Sequence, residues 1–259
     1  MLHQTVNGIQ YLQFENFAKY HLPHGMFLRH GGVSPAPFQS LNLGGNNGDA
    51  RPNVVENRNR IFDAIGRKVD SLYDVWQVHS DTIVCTDHPR PLDVEHLPAD
   101  AILTNNPDIT LFMRFADCVP INVYDPVERV AGLIHAGWPG TVKKIVFKTI
   151  VKMGEVYGSK PENILAGIGP SICVDHYEIR EDVIEQVLSG LSPNGEAFLK
   201  RMDGKTFLNL QEANRHQLLE AGVTQVEMSG VCTACNTTDW FSHRGDHGAT
   251  GRYGALLAL

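Results

Sequence analysis

The stretch RVAGLIHAGWPGTVKKIVFKTIVKMGEVYG, residues 129–158, joins an apolar run typical of a β-strand to a long amphipathic pattern. The apolar run ends at His135, and two glycines, a tryptophan and a proline follow it at once. From Gly140 onward, apolar side chains recur at three- and four-residue spacing, which predicts one helix over 140–157. Gly158 is suited to end this helix, because glycine readily adopts a left-handed conformation. The stretch therefore predicts a buried strand and a helix, with a titratable side chain at their junction.

Similar apolar runs alternate with helical patterns elsewhere in the chain, and this alternation favours an α/β fold. Further helices are predicted from Pro52, over 180–190 and over 210–221. The glycine-rich segment LNLGGNNGD, residues 41–49, lacks the spacing of the familiar phosphate-binding loops, so we interpret it as a turn. The strands are predicted in the segments GMFLRH, TIVCT, ITLFMRFA, PINVYD, RVAGLIHA, NILAGIG and VEMSGV.

Length and charge exclude several classes of protein. The 259 residues are expected to form one domain over 1–259. The net charge is −7 and no long basic run is present, which argues against a nucleic-acid partner. No apolar run is long enough to span a membrane, and the N-terminus lacks the pattern of a signal peptide. We therefore expect a cytoplasmic protein that has no membrane partner.

The five cysteines are an odd number in a long chain, so a disulfide scaffold is not expected and the thiols should be reduced. The tightest cysteine motif is CTAC, which contains Cys232 and Cys235. Such a pair is half of a zinc ribbon, but no second pair follows it. We interpret it as packing or incidental spacing, and a second metal site involving the nearby His243 or His247 is the alternative.

Three other segments place a metal-binding side chain where an apolar run meets a turn. WQVHSD contains His79, RFADCVPI contains Cys118 and LIHAGWPG contains His135. Thiolate and imidazole are preferred ligands of zinc and also suit copper, and a catalytic zinc site has three protein ligands and one open position. Taken singly, each side chain could instead be an ordinary core residue. The spacing is too wide for a local motif, so the fold would have to assemble such a site.

Several motifs occur together in one order along the chain. They are RHGGVSPAPFQSLNLG, NRNRI, WQVHS, ADAILT, ADCVPI, HAGWPGT, GIGPSI, YEI and FSHRGDHGATGR. With these motifs the chain resembles the YfiH-like laccase-domain family, also called the multicopper polyphenol oxidase or peptidoglycan editing factor family. The resemblance runs from about residue 25 to residue 252.

The resemblance implies a zinc ion held by His79, Cys118 and His135, which would be the catalytic centre. It implies a single compact α/β domain of layered mixed β-sheets flanked by helices, the YfiH/CNF-like fold. It also implies phosphorolysis of adenosine, inosine, guanosine and methylthioadenosine, together with deamination of adenosine. The partners would then be small-molecule purine nucleosides and phosphate.

Further residues are candidates for substrate contacts. Arg58, His243 and Arg244 are predicted to contact phosphate or sugar, because arginine binds phosphate oxygens through two donors. Asp117 adjoins Cys118 and could orient a ligating histidine, or it could be a turn residue. The helix beginning near Gly140 would direct its N-terminal amides toward the site and attract anions.

Three alternatives remain open. Two histidines and one cysteine also describe a copper centre for phenol oxidation, with Met113 the only methionine near the ligands in sequence. A laccase needs many more histidines in pairs, and the chain has no His-x-His pair. Amide hydrolysis of cell-wall precursors would use Cys118 as nucleophile and His135 as base. A binding module without catalysis would not need an open coordination position.

Overall fold

The computed structural model describes residues 1–259, whose strands form three β-sheets. Sheet 1 is mixed, because its strand Thr110–Phe115 has one antiparallel and one parallel neighbour. The six strands of sheet 1 lie in the order β1 (Leu2–Val6), β2 (Ile9–Gln13), β3 (His24–Phe27), β15 (Tyr253–Ala258), β7 (Thr110–Phe115) and β4 (Leu72–Asp74).

Sheet 2 is also mixed, and its two central strands are buried along their whole length. These two strands pair antiparallel, with Val119 opposite Ala136. The six strands of sheet 2 lie in the order β14 (Gln225–Met228), β10 (Leu165–Ile168), β8 (Val119–Asp125), β9 (Val130–Ala136), β6 (Ala101–Thr104) and β5 (Ile83–Cys85).

A small sheet and six helices complete the fold. Sheet 3 has the order β11 (Glu178–Ile179), β13 (Lys205–Leu208) and β12 (Leu199–Met202). The helices are α1 (Glu15–Ala18), α2 (Arg51–Ala64), α3 (Trp138–Val142), α4 (Ile145–Tyr157), α5 (Glu181–Gly190) and α6 (Leu210–Glu220). Asn209 caps α6 by accepting a hydrogen bond from the backbone N–H of Glu212, as asparagine commonly does at a helix start.

The core lies in successive layers, and strand β9 shows how they form. Successive side chains of a strand point to opposite faces of its sheet. On β9, Val130 and Ile134 pack with residues of α4, α5 and α6. Ala131 and Leu133 pack instead with side chains of β3, β7 and β15 in sheet 1. A third apolar cluster lies between sheet 1 and α2. The layers are therefore α2, sheet 1, sheet 2 and the helices α4 to α6, which confirms the predicted α/β class of layered mixed sheets flanked by helices.

Each of the seven predicted strand segments contains a strand, but the predicted helix over 140–157 is wrong at its start. The chain forms the short α3 and then the long α4, and the break falls at Lys143 and Lys144. Lys144 has a left-handed φ of 62°, which interrupts the helical path although the apolar spacing continues across it. The sequence does not predict the other eight strands, which are β1, β2, β4, β6, β11, β12, β13 and β15.

None of the helices combines the length and the apolar character needed to cross a lipid bilayer.

Candidate active site

The ends of β8 and β9 bring together two of the three predicted metal ligands. His135 lies in β9 one residue from its end, and Cys118 directly precedes β8, which pairs with β9. The loop between β4 and β5 adds His79, whose Nε2 lies 3.7 Å from the Cys118 Sγ. The ligand atoms of the three residues all lie within 4.8 Å of one another. The fold therefore assembles a Cys/His cluster that could bind a metal ion.

Asp100 orients two members of this cluster. Its Oδ1 lies 2.8 Å from the His135 Nδ1 and accepts a hydrogen bond from the backbone N–H of His79 at 3.0 Å. Its Oδ2 accepts from the backbone N–H and the hydroxyl of Ser80. Although burial raises the pKa of Asp100, the bonds to His135 and Ser80 lower it to about 2. One carboxylate thus fixes the ring of His135, leaves its Nε2 free for a metal, and holds the loop that carries His79.

The cysteine and one histidine form a charged pair. Burial raises the pKa of the Cys118 thiol, but the charge of His135 and hydrogen bonds from both histidines bring it down to about 6. Burial lowers the pKa of His135, but the Cys118 thiolate and Asp100 raise it to about 9. The sulfur is therefore stabilised as a thiolate, the form in which cysteine binds metals and acts as a nucleophile.

Gly137 has no side chain, and this absence makes room for the rings and the thiol of the cluster. A Cβ atom at this position would lie 2.6 Å from the His79 Cδ2 and 3.1 Å from the Cys118 Sγ. The first distance is shorter than normal carbon contacts allow, so a larger residue would displace the His79 ring. One thiolate and two imidazoles with such clearance suit a zinc or copper ion with an open coordination position.

The cluster opens into a cavity of about 540 Å³, which is within the usual range for small-molecule sites. Several segments distant in sequence form its walls. Besides the three cluster residues, the cavity is lined by Gly44, Gly45, Asn46, Asn47, Trp76, Gln77, Arg114, Ala116, Asp117, Trp138, Ile172, Tyr177, His243, Arg244 and Arg252.

Three arginines give the cavity positive charge, and backbone carbonyl groups hold all three. Arg114 donates to the carbonyl of Val75 at 2.7 Å. Arg244 donates to the carbonyl of Glu178, and Arg252 to that of Gly251. Because these bonds fix the guanidinium groups, the cavity is preorganised for an anionic group such as phosphate.

The structure places two of the predicted substrate contacts in the cavity wall and one outside it. His243 and Arg244 line the cavity, so their contact with substrate stays a prediction. Arg58 is not among the lining residues and donates instead to the carbonyl of Leu43, with its guanidinium over the ring of Phe112. Its half-buried position in α2, outside the cavity lining, therefore does not support the predicted substrate role.

Asp117 lines the cavity, but its carboxylate does not bind a histidine. It accepts hydrogen bonds from the hydroxyls of Thr233 and Ser242 and from the backbone N–H of Arg244. Of the two roles predicted for Asp117, the structure supports the one in loop geometry, since Asp100 is the partner of the ligating histidine.

One further expectation is wrong, and the one methionine near the ligands in sequence lies outside the cavity. The helix at the site is not the long one, because α3 is a helix of only five residues that begins at Trp138. The long helix α4 begins at Ile145, so its N-terminus does not lie at Gly140. Met113 is fully buried in the core between the two large sheets and does not line the cavity, so it cannot supply an axial ligand.

Sequence reasoning missed Asp100, Tyr177 and Arg252, although each lies in a motif of the family resemblance. Asp100 lies in ADAILT, Tyr177 in YEI and Arg252 at the end of FSHRGDHGATGR. It also missed that residues 44–47 of the glycine-rich segment form a wall of the cavity. A motif shows that a residue type is needed, whereas only the fold shows which atom faces the site.

The chain is similar over most of its length to proteins named purine nucleoside phosphorylase. The chain is 39% identical over 256 residues to a purine nucleoside phosphorylase of Deinococcus radiodurans, an alignment that covers 98% of this chain and 95% of the relative. It is 34% identical over 243 residues to purine nucleoside phosphorylase YlmD of Bacillus subtilis, with 91% of this chain and 87% of the relative covered.

Solved structures of similar fold extend over the same length. The crystal structure of YlmD from Geobacillus stearothermophilus superimposes with a TM-score of 0.92 at 31% identity, covering 98% of this chain and 97% of the other. The crystal structure of the Bacillus licheniformis hypothetical protein YfiH gives a TM-score of 0.90 at 29% identity, covering 99% and 98%.

The family model described as multi-copper polyphenol oxidoreductase laccase matches residues 23–259. This range includes the whole cluster and every residue that lines the cavity. The chain therefore belongs to this laccase-domain family, whose relatives include the YfiH and YlmD proteins.

Proposed function

We propose that this protein is a zinc-dependent purine nucleoside phosphorylase that acts on adenosine, inosine, guanosine and methylthioadenosine and also deaminates adenosine. The observation that carries the proposal is a three-ligand Cys/His cluster that opens into a cavity lined by three arginines. The names of the relatives, purine nucleoside phosphorylase in two bacterial genera, support the same reaction class.

The donor set favours zinc, since His79, Cys118 and His135 supply the three ligands typical of a catalytic zinc site. Held by these three residues, the ion would supply Lewis-acid chemistry, which makes water reactive near neutral pH and polarises substrate oxygen atoms. Asp100 keeps a proton on the Nδ1 of His135, so that the Nε2 lone pair faces the cavity.

The remaining lining residues would bind the nucleoside and the phosphate. Arg114, Arg244 and Arg252 offer fixed donors for phosphate oxygens, which would hold the anion for attack on the anomeric carbon. Trp138 and Tyr177 provide aromatic faces against which a purine base can stack. Burial raises the pKa of Tyr177 far above neutrality, so its phenol remains a hydrogen-bond donor.

A cysteine hydrolase is the second candidate, because the thiolate–imidazolium pair of Cys118 and His135 also suits a nucleophile and its base. Copper-dependent oxidation of phenols is less well supported. The site lacks a methionine in its wall, and the chain has no His-x-His pair for a copper cluster.

Incubation with adenosine, with and without phosphate, tests the proposed function. We expect adenine and ribose 1-phosphate only when phosphate is present, and inosine in either case, identified by product mass. Colourless protein with bound zinc is expected, whereas an intense blue absorption would indicate a copper centre. Failure of every purine nucleoside to react with the zinc-loaded protein would contradict the proposal.

Asp100→Asn should lower zinc affinity about 10- to 100-fold, because partners of metal-ligating histidines contribute effects of this size. The asparagine removes the charge that orients the His135 ring, but keeps the size of the side chain and an oxygen for the loop of His79. Titration with a competing chelator measures the change, and Asp87→Asn, an exposed aspartate on another loop, is the control. An unchanged zinc affinity would show that Asp100 does not contribute to metal binding by orienting His135.

A further inference from the structure

A second Cys/His cluster lies outside the cavity. It consists of Cys173, His176, Cys232 and Cys235, whose ligand atoms all lie within 4.8 Å of one another. None of the four residues lines the cavity. The C-x-x-C pair, interpreted from the sequence as packing or incidental spacing, therefore has candidate ligand partners. They are Cys173 and His176 of a C-x-x-H segment, and not His243 or His247 of the alternative.

The distances fit a tetrahedral ion. With metal–sulfur bonds of about 2.3 Å and metal–nitrogen bonds of about 2.0–2.1 Å, a tetrahedron places nitrogen and sulfur ligands about 3.6 Å apart. The His176 Nδ1 lies 3.4 Å from the Sγ of Cys173, 3.5 Å from that of Cys235 and 4.0 Å from that of Cys232. A single nitrogen atom thus lies at about the required distance from three sulfur atoms.

Packing does not explain why these thiols converge. All of them are free cysteines, Cys235 is exposed, Cys173 is half-buried, and none belongs to the apolar clusters of the core. The backbone N–H of Cys173 points at the Cys232 sulfur at 3.3 Å, and such a donor stabilises a metal-bound thiolate. Hydrophobic burial is the usual reason for a cluster of free cysteines, and it does not apply to the two accessible ones.

We propose that Cys173, His176, Cys232 and Cys235 form a structural zinc site, separate from the cluster in the cavity. Three thiolates and one imidazole fill all four positions of a tetrahedral ion, as in closed structural zinc sites, and leave none for substrate. On binding, the thiols that are protonated release their protons to solvent, and no oxidation or reduction takes place.

The proposed ion would join two loops that form one side of the cavity. Cys173 and His176 lie between β10 and β11, and the loop between β14 and β15 carries Cys232 and Cys235. Apart from the cluster, these loops meet through a bridge between Ser171 and Cys232 with the hydrogen bonds beside it, and through Arg244, which donates to the carbonyl of His176. A zinc ion would therefore fix their separation.

Both loops also reach the residues around the cavity. The backbone N–H of Ile172 and the hydroxyl of Thr233 donate to Asp117, and the carbonyl of His176 accepts from Arg244. Ile172, Asp117 and Arg244 line the cavity. The inferred ion thus supports the cavity wall from behind, without contact with the substrate.

The test counts zinc in purified, untagged protein after dialysis against metal-free buffer. We expect about two ions per chain in the wild type and about one in Cys118→Ala or in Cys235→Ser, since each change removes one ligand of one site. The double variant should hold about none. Cys85→Ser, which changes an exposed cysteine outside both clusters, is the matched control and should keep about two.

Two further measurements exclude a failure to fold. Circular dichroism should be preserved in Cys235→Ser, while its melting temperature falls by roughly 5–10 °C because the metal crosslink is lost. Cobalt added to Cys118→Ala should give the intense visible absorption of a tetrahedral thiolate complex, and Cys235→Ser in that background should abolish it.

The inference is overturned if Cys118→Ala holds no zinc, if Cys235→Ser keeps the wild-type zinc content, or if a disulfide among these cysteines replaces the metal. The last outcome would show as a loss of two hydrogens in the intact mass. Because zinc is counted and not nucleoside turnover, a failure of the proposed enzyme activity would leave this result unaffected.

Discussion

Cys118→Ala should lower the zinc content by about one ion per chain and reduce the proposed phosphorolysis and deamination on the order of 10³-fold. The thiolate is the only anionic ligand among the three members of the cavity cluster, so two imidazoles alone should bind zinc weakly. A catalytic metal contributes several kcal/mol to a transition state, and each ~1.4 kcal/mol corresponds to a tenfold change in rate. Metal analysis and product formation are measured on the same sample.

The same variant separates the candidate functions. Cys85→Ala is the control, because this exposed cysteine belongs to neither cluster and should retain both zinc and activity. Full zinc content with lost activity would favour Cys118 as the nucleophile of a hydrolase. Full activity after loss of zinc would remove the metal from the mechanism. The fold should survive, since Cys118 lies at the floor of the cavity and only borders the core.

Asp74→Ala should lower the free energy of unfolding by about 3–5 kcal/mol, which is the usual cost of leaving a buried charge without its partner. Asp74 is fully buried in β4, and its Oδ1 lies 2.7 Å from Arg90 Nη2. Its Oδ2 lies 3.0 Å from His96 Nε2 and 3.9 Å from Arg114 Nη1. Urea unfolding of zinc-saturated protein measures the change.

An exposed ion pair provides the contrast. Asp81 pairs with Lys148, and both side chains are more than a third exposed. Asp81→Ala should therefore cost no more than about 1 kcal/mol. If Asp74→Ala lowered the free energy of unfolding as little as Asp81→Ala, then Arg90 and Arg114 would have found other partners or water.

The same carboxylate should make stability depend on acid pH. Burial raises the pKa of Asp74, but His96, Arg114 and Arg90 lower it to about 2, below its ordinary value of 3.8. A carboxyl group with a lowered folded-state pKa stabilises the protein above its unfolded pKa, and this contribution is lost as the pH falls through the folded value. The difference in stability between wild type and Asp74→Asn should therefore shrink between about pH 4 and pH 2.

Much of sheet 2 could be predicted from the sequence because its central strands β8 and β9 are mostly apolar. In β8 and β9 every residue is buried, so a short run of apolar letters is enough to identify each strand. Strands β1 and β15 could not be predicted, for different reasons. Strand β1 is mostly exposed and therefore lacks an apolar pattern. The segment that forms β15 is apolar, but no turn residues follow it to mark the end of a strand.

The break between α3 and α4 could not be predicted, because the apolar spacing continues through Lys144 although its backbone is left-handed. The site was predictable in kind but not in detail. Residue types made His79, Cys118 and His135 candidate metal ligands, the family resemblance implied them as a set, and the structure brings them together. Asp100 could not be found in this way, since a carboxylate at the start of a strand has no signature that names its partner.

The position of strand β15 has a consequence for how the protein is made. Tyr253–Ala258 lies between β3 and β7 in sheet 1, so β1, β2 and β3 have no hydrogen bonds to the rest of that sheet until residues 253–258 are in place. At roughly 5–20 residues per second of translation, the N-terminal hairpin waits on the order of tens of seconds on the ribosome with an unpaired edge. During this interval its exposed strand edge is open to wrong partners, which makes the nascent chain a natural client for chaperones.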